Sequence, residues 1–334
     1  MHPTRQTWRV RGIPLDFDKR RLADVLQHHP SLQITKTAGV NEEDNDSSNN
    51  DIWVHTLAPD LRSDQVATIG FRHLPAQLAT LERSGQFLID IQVSSKNTHA
   101  GVKRKIDSLQ TVILAIDQHF NGITVLYAPP TGEHQIDVVA ASGLGSHPFG
   151  SFVHKGDGHM WLSNSLPRDM PTARVMIYGY ESGLQGSNRF AHLGDLAGSL
   201  QIAVCRLPRS EKKHLVLIGH CLGGLLIKEA LIRIAESDSD SDLIGLVFGS
   251  LFFGVPNDGM DIESLIPIAN DQPNRFLLES LNSINPQILT LQKRNFSRVL
   301  ERSDFEMFCF YETRLSPTAA KVMSPQSQKT AVPM

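Results

Sequence analysis

One cysteine between two glycines is the residue in this sequence best placed for nucleophilic chemistry. Gly219-His220-Cys221-Leu222-Gly223 matches the pattern G-x-S-x-G, with cysteine in the place of serine. The apolar run "LVLI" precedes it and the helical pattern "GLLIKEALIRIAE" follows it. The glycines leave room where strand and helix meet, and a thiolate at the start of a helix is a strong nucleophile. The pattern predicts a nucleophile elbow; the alternative is an ordinary glycine-rich turn.

A second glycine-rich segment could stabilise the negative charge that develops during acyl transfer. "AASGLGSHPFGSF", Ala140 to Phe152, directly follows a predicted strand. In hydrolases with this elbow, one oxyanion-hole N–H comes from such a loop and the other from the residue after the nucleophile. The candidates are therefore the backbone amides of Leu144 and Leu222. Each such donor lowers the barrier by about 3 kcal/mol. The alternative is a plain glycine turn.

The base and the acid of a triad are harder to assign. These hydrolases order the triad as nucleophile, acid and histidine, yet no histidine follows His220. His147 is a candidate substitute base, and its alternative role is structural. Glu312, at the end of a predicted strand, or Asp258, after the preceding strand, is the candidate acid; a charged residue at a strand end is otherwise simply solvated. Without a base, deacylation is expected to slow about 100-fold or more.

The elements that would position these residues form an α/β pattern from residue 109 to 334. The apolar runs predict a buried, mainly parallel sheet with helices on both faces, the arrangement in which an elbow sits. The strands predicted in this second domain are "TVILAI", "ITVLYA", "IDVVAASGL", "ARVMIYGY", "HLVLIG", "LIGLVFGSLFF" and "EMFCFYET". Between the last two, Asp258 to Arg302 is an insertion with helical spacing, which serves either as a lid or as packing.

Residues 1–95 predict a separate, smaller domain, joined by a polar linker at 96–108. Strand and helix signals follow the order strand, helix, strand, strand, helix, strand, which is ferredoxin-like and similar to an RNA-recognition motif. RNA binding by that fold needs exposed aromatic residues on the central strands, and only Trp8 and Phe71 are available. Residues 1–100 carry 11 Lys/Arg against 12 Asp/Glu, without a basic surplus. A docking domain is favoured over RNA binding.

Composition limits the other classes of function. The net charge is −3 and the pI is about 6.5, so nucleic acid is not an expected partner. Cys205, Cys221 and Cys309 form neither a disulfide framework nor a zinc-type pair, which indicates a reduced, intracellular and cytoplasmic protein. The longest uncharged apolar run, Leu243 to Pro256, is too short to span a membrane, so no transmembrane segment is expected. No P-loop or G-x-G-x-x-G follows a strand, and no cofactor or metal is predicted.

The blocks "DVVAASGLGSHPFGSF", "ARVMIYGYES", "LVLIGHCLGGLLIKEAL" and "FFGVPNDGMDI" resemble, in this order, the fungal lipase-like serine esterases related to the serine-active-site-containing protein family. The resemblance implies an α/β-hydrolase fold, an acyl-ester or lipid substrate, and peripheral association with mitochondria or endoplasmic reticulum. Fungal members are often N-terminal effector modules of NACHT, ankyrin or tetratricopeptide proteins. This sequence departs from them at Cys221, at Ser142-Gly143-Leu144-Gly145-Ser146 in place of His-Gly-Leu-Gly-Gly, and in lacking a late Asp-His segment.

Three hypotheses for function follow. The first is an acyl-ester hydrolase with Cys221 as nucleophile and impaired turnover. The second is a non-catalytic interaction or effector module, a pseudoenzyme whose partner is a protein. The third is an incomplete gene product of an active esterase, whose missing C-terminal part carries the histidine. The oligomeric state stays open at this point.

Overall fold

Runs of β-branched and aromatic residues form two separate sheets in the computed structural model of this chain. The structure describes residues 6–33, 51–81, 85–95, 108–181, 192–208, 213–262, 265–266, 275–284, 286–311 and 313. Two compact units divide near residue 120: the first comprises 1–120, 125–128 and 154–159, and the second comprises 121–124, 129–153 and 160–334. Each unit is of mixed α/β type. Of the expected linker at 96–108, residues 96–107 lie outside the described residues, and Ser108 begins a strand of the first sheet.

The sheet of the first unit is antiparallel at every described pairing. Its elements are β1 (Thr7–Ile13), α1 (Lys19–His28), β2 (Ile52–Pro59), β3 (Gln65–Phe71), α2 (Ala76–Ala79), β4 (Gln86–Ser95) and β5 (Ser108–Asp117). The strand order is β2-β3-β1-β5-β4. α1 begins at Asp18, whose carboxylate accepts a hydrogen bond from the Arg21 amide at 2.7 Å, a typical N-cap.

The position of β5 corrects three expectations from the sequence. The order from β1 to β4 is as predicted, but β5 pairs with β1 where a ferredoxin-like sheet would place its fourth strand. "TVILAI", which we expected at the start of the second domain, therefore belongs to the first sheet. Its consecutive apolar residues suggested a strand buried on both faces; instead Leu114 and Ile116 are fully buried while Ile113, on the opposite face, is 57% exposed.

The aromatic residues of the central strands lie inside the first unit. Trp8 and Phe71 are buried, and their rings meet edge to face with centroids 6.3 Å apart. They share one apolar cluster with Leu22 and Leu26 of α1. Neither ring is therefore available to stack on a nucleic-acid base, so the two aromatic residues named from the sequence on the central strands give no support to RNA binding. A docking role for this unit stays a prediction.

The second sheet is parallel at its four described pairings, as the sequence predicted. Its strands are β6 (Gly122–Tyr127), β7 (Ile136–Ala141), β8 (Ala173–Gly179), β9 (His214–His220), β10 (Val247–Phe253) and β11 (Glu306–Phe310). The order is β11-β10-β9-β7-β8-β6, and β8, β7, β9, β10 and β11 run in the same direction. The carboxyl ends of the central strands therefore meet at one edge of the sheet, where ligand sites of such sheets form.

Helices of the second unit follow the apolar periodicity of the sequence. They are α3 (Trp161–Asn164), α4 (Leu166–Asp169), α5 (Leu193–Cys205), α6 (Leu222–Ala235), α7 (Arg275–Glu279) and α8 (Gln287–Glu301). α6 is buried along most of its length and packs against both α5 and α8. The insertion between β10 and β11 contains α7 and α8, and its role as a lid stays a prediction. Within the described ranges, no helix is long and apolar enough to cross a membrane.

Candidate active site

Cys221 lies at a sharp turn between β9 and α6. Its φ of 51° and ψ of −121° are a backbone conformation that a residue with a side chain seldom adopts. Two hydrogen bonds hold the turn: the Cys221 amide donates to the Phe253 carbonyl at 2.9 Å, and the Gly224 amide donates to the Cys221 carbonyl at 3.0 Å. Strain of this kind persists only where surrounding contacts enforce it, and it is frequent at functional sites. The predicted elbow geometry is present.

The glycines on either side of Cys221 are required by close packing. A Cβ on Gly219 would lie 2.5 Å from the Gly224 Cα, and one on Gly223 would lie 2.6 Å from the Ser142 carbonyl oxygen. A Cβ on Gly224 would overlap the Val255 side chain. Strand, helix and neighbouring loops therefore approach one another more closely than any side chain permits. The steric role predicted for Gly219 and Gly223 is confirmed.

The loop after β7 reaches the cysteine, as the sequence predicted. A Cβ on Gly143 would lie only 3.0 Å from the Cys221 Cβ and 3.3 Å from Nδ1 of His220. The Ser146 amide donates to the Gly143 carbonyl at 3.3 Å, and Gly145 has a positive φ of 63°, so the loop closes into a tight turn. Leu144 and Leu222, the residues expected to supply oxyanion donors, therefore lie in two segments that both border Cys221.

The Leu144 side chain belongs to a small apolar cluster. It packs with Met260 against Leu265 and Leu278, which are 0% and 1% exposed. Met260 is itself held by two backbone hydrogen bonds, because its amide donates to the Leu281 carbonyl at 2.8 Å and its carbonyl accepts from the Ser283 amide at 3.1 Å. The first part of the insertion between β10 and β11 therefore packs directly on the candidate oxyanion loop.

Tyr180 is a residue near the site that sequence reasoning missed. Its hydroxyl donates to the Ser142 carbonyl at 2.7 Å, and its ring stacks on Tyr178 with centroids 6.1 Å apart. Burial raises the pKa of Tyr180 well above its ordinary value, and the charge of a nearby Cys221 thiolate and of Tyr178 raise it further. The available signal was the second tyrosine of "MIYGY", which is the last residue of the predicted strand and directly follows β8.

The two histidines nearest to the site in sequence have local contacts. Nδ1 of His147 accepts a hydrogen bond from the Gly150 amide at 3.1 Å, and the His147 carbonyl accepts from the Ser151 hydroxyl at 2.8 Å. Both contacts stabilise the short 3-10 turn Gly150–Phe152. His220 is the last residue of β9 and borders Gly143. The role of His147 as a substitute base stays a prediction.

Of the two candidate acids, the structure describes Asp258 but not Glu312. Asp258 follows β10, and its side chain is 84% exposed and pairs with Lys293 of α8 at 3.1 Å. The neighbouring Asn257 is anchored more firmly, since its Oδ1 accepts from the buried Lys228 ammonium at 2.5 Å, and burial lowers the pKa of this lysine. Glu312 lies outside the described residues. The acid role of either carboxylate stays a prediction.

Comparison with known sequences finds one distant group of relatives. No protein-family model matches the chain. Protein SERAC1 from Danio rerio is 26% identical over 166 residues, and the Bos taurus protein is 25% identical over 166 residues. In each case the match covers 46% of this chain and 24% of the relative, so the chain spans about a quarter of the length of the curated relatives it matches.

Solved structures with partial similarity carry lipase and esterase names. Lipase BlEst2 from Bacillus licheniformis, in its propeptide form, covers 56% of this chain and 38% of its own, with 13% identity and a TM-score of 0.41. Phospholipase PlaB from Legionella pneumophila covers 55% and 40%, with 12% identity and a TM-score of 0.41. Esterase B from Lactobacillus rhamnosis covers 76% and 87%, with 12% identity and a TM-score of 0.30.

Proposed function

We propose that the second unit is an acyl-transfer domain of the α/β-hydrolase type, with Cys221 as its nucleophile and an acyl ester or lipid as its substrate. One observation carries this proposal: the strained elbow and the loop after β7 approach so closely that a Cβ on Gly143 would lie only 3.0 Å from the Cys221 Cβ. A glycine turn without a role in the site would not require the loop after β7 to lie against the elbow. In the proposed site, the amides of Leu144 and Leu222 donate to the oxyanion.

The reaction begins with attack of the Cys221 thiolate on the ester carbonyl carbon. A bond forms between Sγ and that carbon, while the carbonyl π electrons move to the oxygen, where the two amides stabilise the negative charge. Collapse of this intermediate breaks the bond to the leaving alkoxide or phenolate. The product is a thioester on Cys221. The partial positive charge at the N-terminus of α6 favours the thiolate that the first step requires.

The second step, hydrolysis of the thioester, is expected to be slow. A water must lose a proton as it attacks, and a positioned base ordinarily accelerates this step by about 100-fold or more. The histidine that follows the nucleophile in triads of this type has no counterpart after His220 in this sequence. We therefore propose that these 334 residues, tested on their own, are acylated readily and turn over slowly.

Mass spectrometry of the chain after exposure to a short p-nitrophenyl ester tests this proposal. We expect one added acyl group, located on Cys221 by peptide mapping, because p-nitrophenolate leaves without help from an acid. Cys221→Ala should carry no such group, and Cys221→Ser tests whether the elbow also activates a hydroxyl.

Cys309→Ala is the matched control for this experiment. Cys309 is an exposed thiol on β11, outside the elbow, so its loss should leave the adduct on Cys221 unchanged. A folded protein that carries no acyl group, or that carries it equally on Cys309, would contradict an elbow nucleophile.

A non-catalytic binding role is the second candidate, and β11 favours it. All five residues of this strand are exposed, and β11 is the edge strand of the described sheet. Met307, Phe308 and Phe310 are 40%, 52% and 50% exposed, on both faces of the strand. An apolar edge strand is a typical place for another strand to add. The outcome with no acyl adduct on a folded chain would favour this role.

A further inference from the structure

The carbonyl of Ser142 joins three elements of the site. Ser142 follows β7 and is 1% exposed. Its oxygen accepts the 2.7 Å hydrogen bond from the Tyr180 hydroxyl, at the end of β8, and it also lies 2.6 Å from the position that a Cβ of Gly223 would occupy, at the start of α6. This oxygen is therefore confined between a phenol and a helix backbone.

The confined oxygen belongs to the peptide group that precedes the proposed oxyanion donor. The Ser142 carbonyl is part of the same planar unit as the Gly143 amide, and the Leu144 amide is in the next unit. On the other side of the contact, Gly223 directly follows Leu222, which carries the second proposed donor. The hydrogen bond at this oxygen therefore joins the segment of the first donor to Tyr180 at the point where that segment contacts the segment of the second donor.

From this geometry we infer that Tyr180 is a positioning residue, whose hydroxyl holds the Ser142–Leu144 loop against the elbow. The inference rests on the proposed function, because it assigns Tyr180 a purpose in acyl transfer at Cys221. Tyr180 does not act as an acid or a base here, since its hydroxyl proton is directed to the carbonyl of Ser142.

Two properties suit Tyr180 to this task. The ring is 7% exposed and stacks on Tyr178 at an interplanar angle of 19°, so the hydroxyl has little freedom to move. Burial also keeps the phenol protonated, because its pKa is raised well above the ordinary value. The donor is therefore present at neutral pH, where the acylation rate is measured.

The test compares two single-atom deletions in the same aromatic stack. Tyr180→Phe removes the hydroxyl that contacts Ser142, and Tyr178→Phe, whose ring is also buried, is the matched control. Two reactions of Cys221 are timed in each protein. The first is acylation by p-nitrophenyl acetate, whose rate depends on the oxyanion donors. The second is alkylation by iodoacetamide, whose rate depends on the thiolate but not on those donors. Hydrogen exchange of the amides at 142–146 reports the loop itself.

We expect Tyr180→Phe to slow acylation about 10- to 100-fold, because a misplaced oxyanion donor has an effect of this order. Alkylation should change less than about twofold, since the thiolate is not touched. Exchange at 142–146 should become faster, and Tyr178→Phe should alter none of the three. Para-aminophenylalanine at position 180 retains a donor and should restore the wild-type rates, which also serves if the Phe variant is too unstable.

Several outcomes would overturn the inference. These are an unchanged acylation rate in Tyr180→Phe, an equal loss of acylation and alkylation, or an equal effect of Tyr178→Phe. If the wild-type chain is alkylated but never acylated, the proposed function fails on its own. The exchange experiment then decides the positioning role, and unchanged exchange at 142–146 in Tyr180→Phe would contradict it.

Discussion

The two sides of the candidate site differ in how firmly the fold builds them. On the nucleophile side, Cys221 has a strained backbone and Gly143 lies against it. The Tyr180 hydroxyl donates a hydrogen bond to Ser142, in the same loop as Gly143. On the acid and base side, Asp258 is a solvated partner of Lys293, and no histidine follows the nucleophile in the sequence. From this difference we expect these 334 residues, tested on their own, to favour acylation of Cys221 over rapid hydrolysis of the product.

The largest change in the acylation rate is expected from a substitution at Gly143, which lies against Cys221. Gly143→Val places branched carbons where even a Cβ would lie 3.0 Å from the Cys221 Cβ, so the loop must move away. Acylation of Cys221 should fall by about 100-fold or more. Stopped-flow release of p-nitrophenolate measures this rate. Gly245→Ala is the control, because a Cβ there meets nothing within 4 Å; equal rates in both variants would mean that the loop takes no part.

An added base should accelerate deacylation, the step for which the acid and base side is less well built. Free imidazole can accept the proton that a positioned histidine would take, so it should accelerate loss of the acyl group from Cys221 about tenfold, in proportion to its neutral fraction. The decay of the acyl adduct, followed by mass spectrometry, gives this rate. Sodium chloride at equal ionic strength is the control. Decay that is already fast without imidazole would show that this chain supplies its own base.

His134 is expected to make the stability of the second unit depend on pH, without affecting the acylation of Cys221. Its Nε2 lies 2.9 Å from Asp137 and its Nδ1 lies 2.9 Å from the Lys213 ammonium; because an ammonium only donates, this histidine is neutral. Burial lowers the pKa of His134, with opposing contributions from Asp137 on one side and from Arg174 and Lys213 on the other.

A lowered folded-state pKa means that the neutral form stabilises the fold. The contribution is fully present above the unfolded pKa of about 6.5 and is lost as the pH falls through the lower folded value. Urea unfolding at several pH values should therefore show a smaller loss of stability below about pH 6.5 in His134→Gln than in the wild type. The acylation rate at pH 7.5 should be the same in both proteins; a slower rate in the variant would tie this histidine to the reaction.

The smallest effect is expected from the exposed acid. Asp258→Asn should change the free energy of unfolding by less than about 1 kcal/mol, because an exposed ion pair contributes little. Acylation and deacylation rates should both stay within about twofold of the wild type. Lys293→Gln removes the other partner of the same pair and should behave alike. A tenfold slower deacylation in Asp258→Asn alone would identify Asp258 as a catalytic acid and weaken the contrast between the two sides.

Local patterns in the sequence predicted the elbow because a strand, a turn and a helix follow one another directly around Cys221. The approach of Ser142-Gly143-Leu144 was predicted for a similar reason, since loops at the carboxyl edge of a parallel sheet must meet. The contact of Tyr180 with Ser142 spans 38 residues and leaves no periodic signal. The exposed outer face of β5 was missed because Ile113 is apolar, although its side chain faces outward.

In the proposed reaction, acylation of Cys221 is fast and hydrolysis of the acyl-enzyme is slow. Pre-steady-state release of p-nitrophenolate from p-nitrophenyl acetate separates these two rates. We expect a burst close to one equivalent per chain, absent in Cys221→Ala, followed by a steady phase at least about 100-fold slower. Steady release without a burst, at a rate that depends on Cys221, would contradict this account, because it would require an efficient base within the chain. No release above that of Cys221→Ala would contradict the assignment of the nucleophile itself.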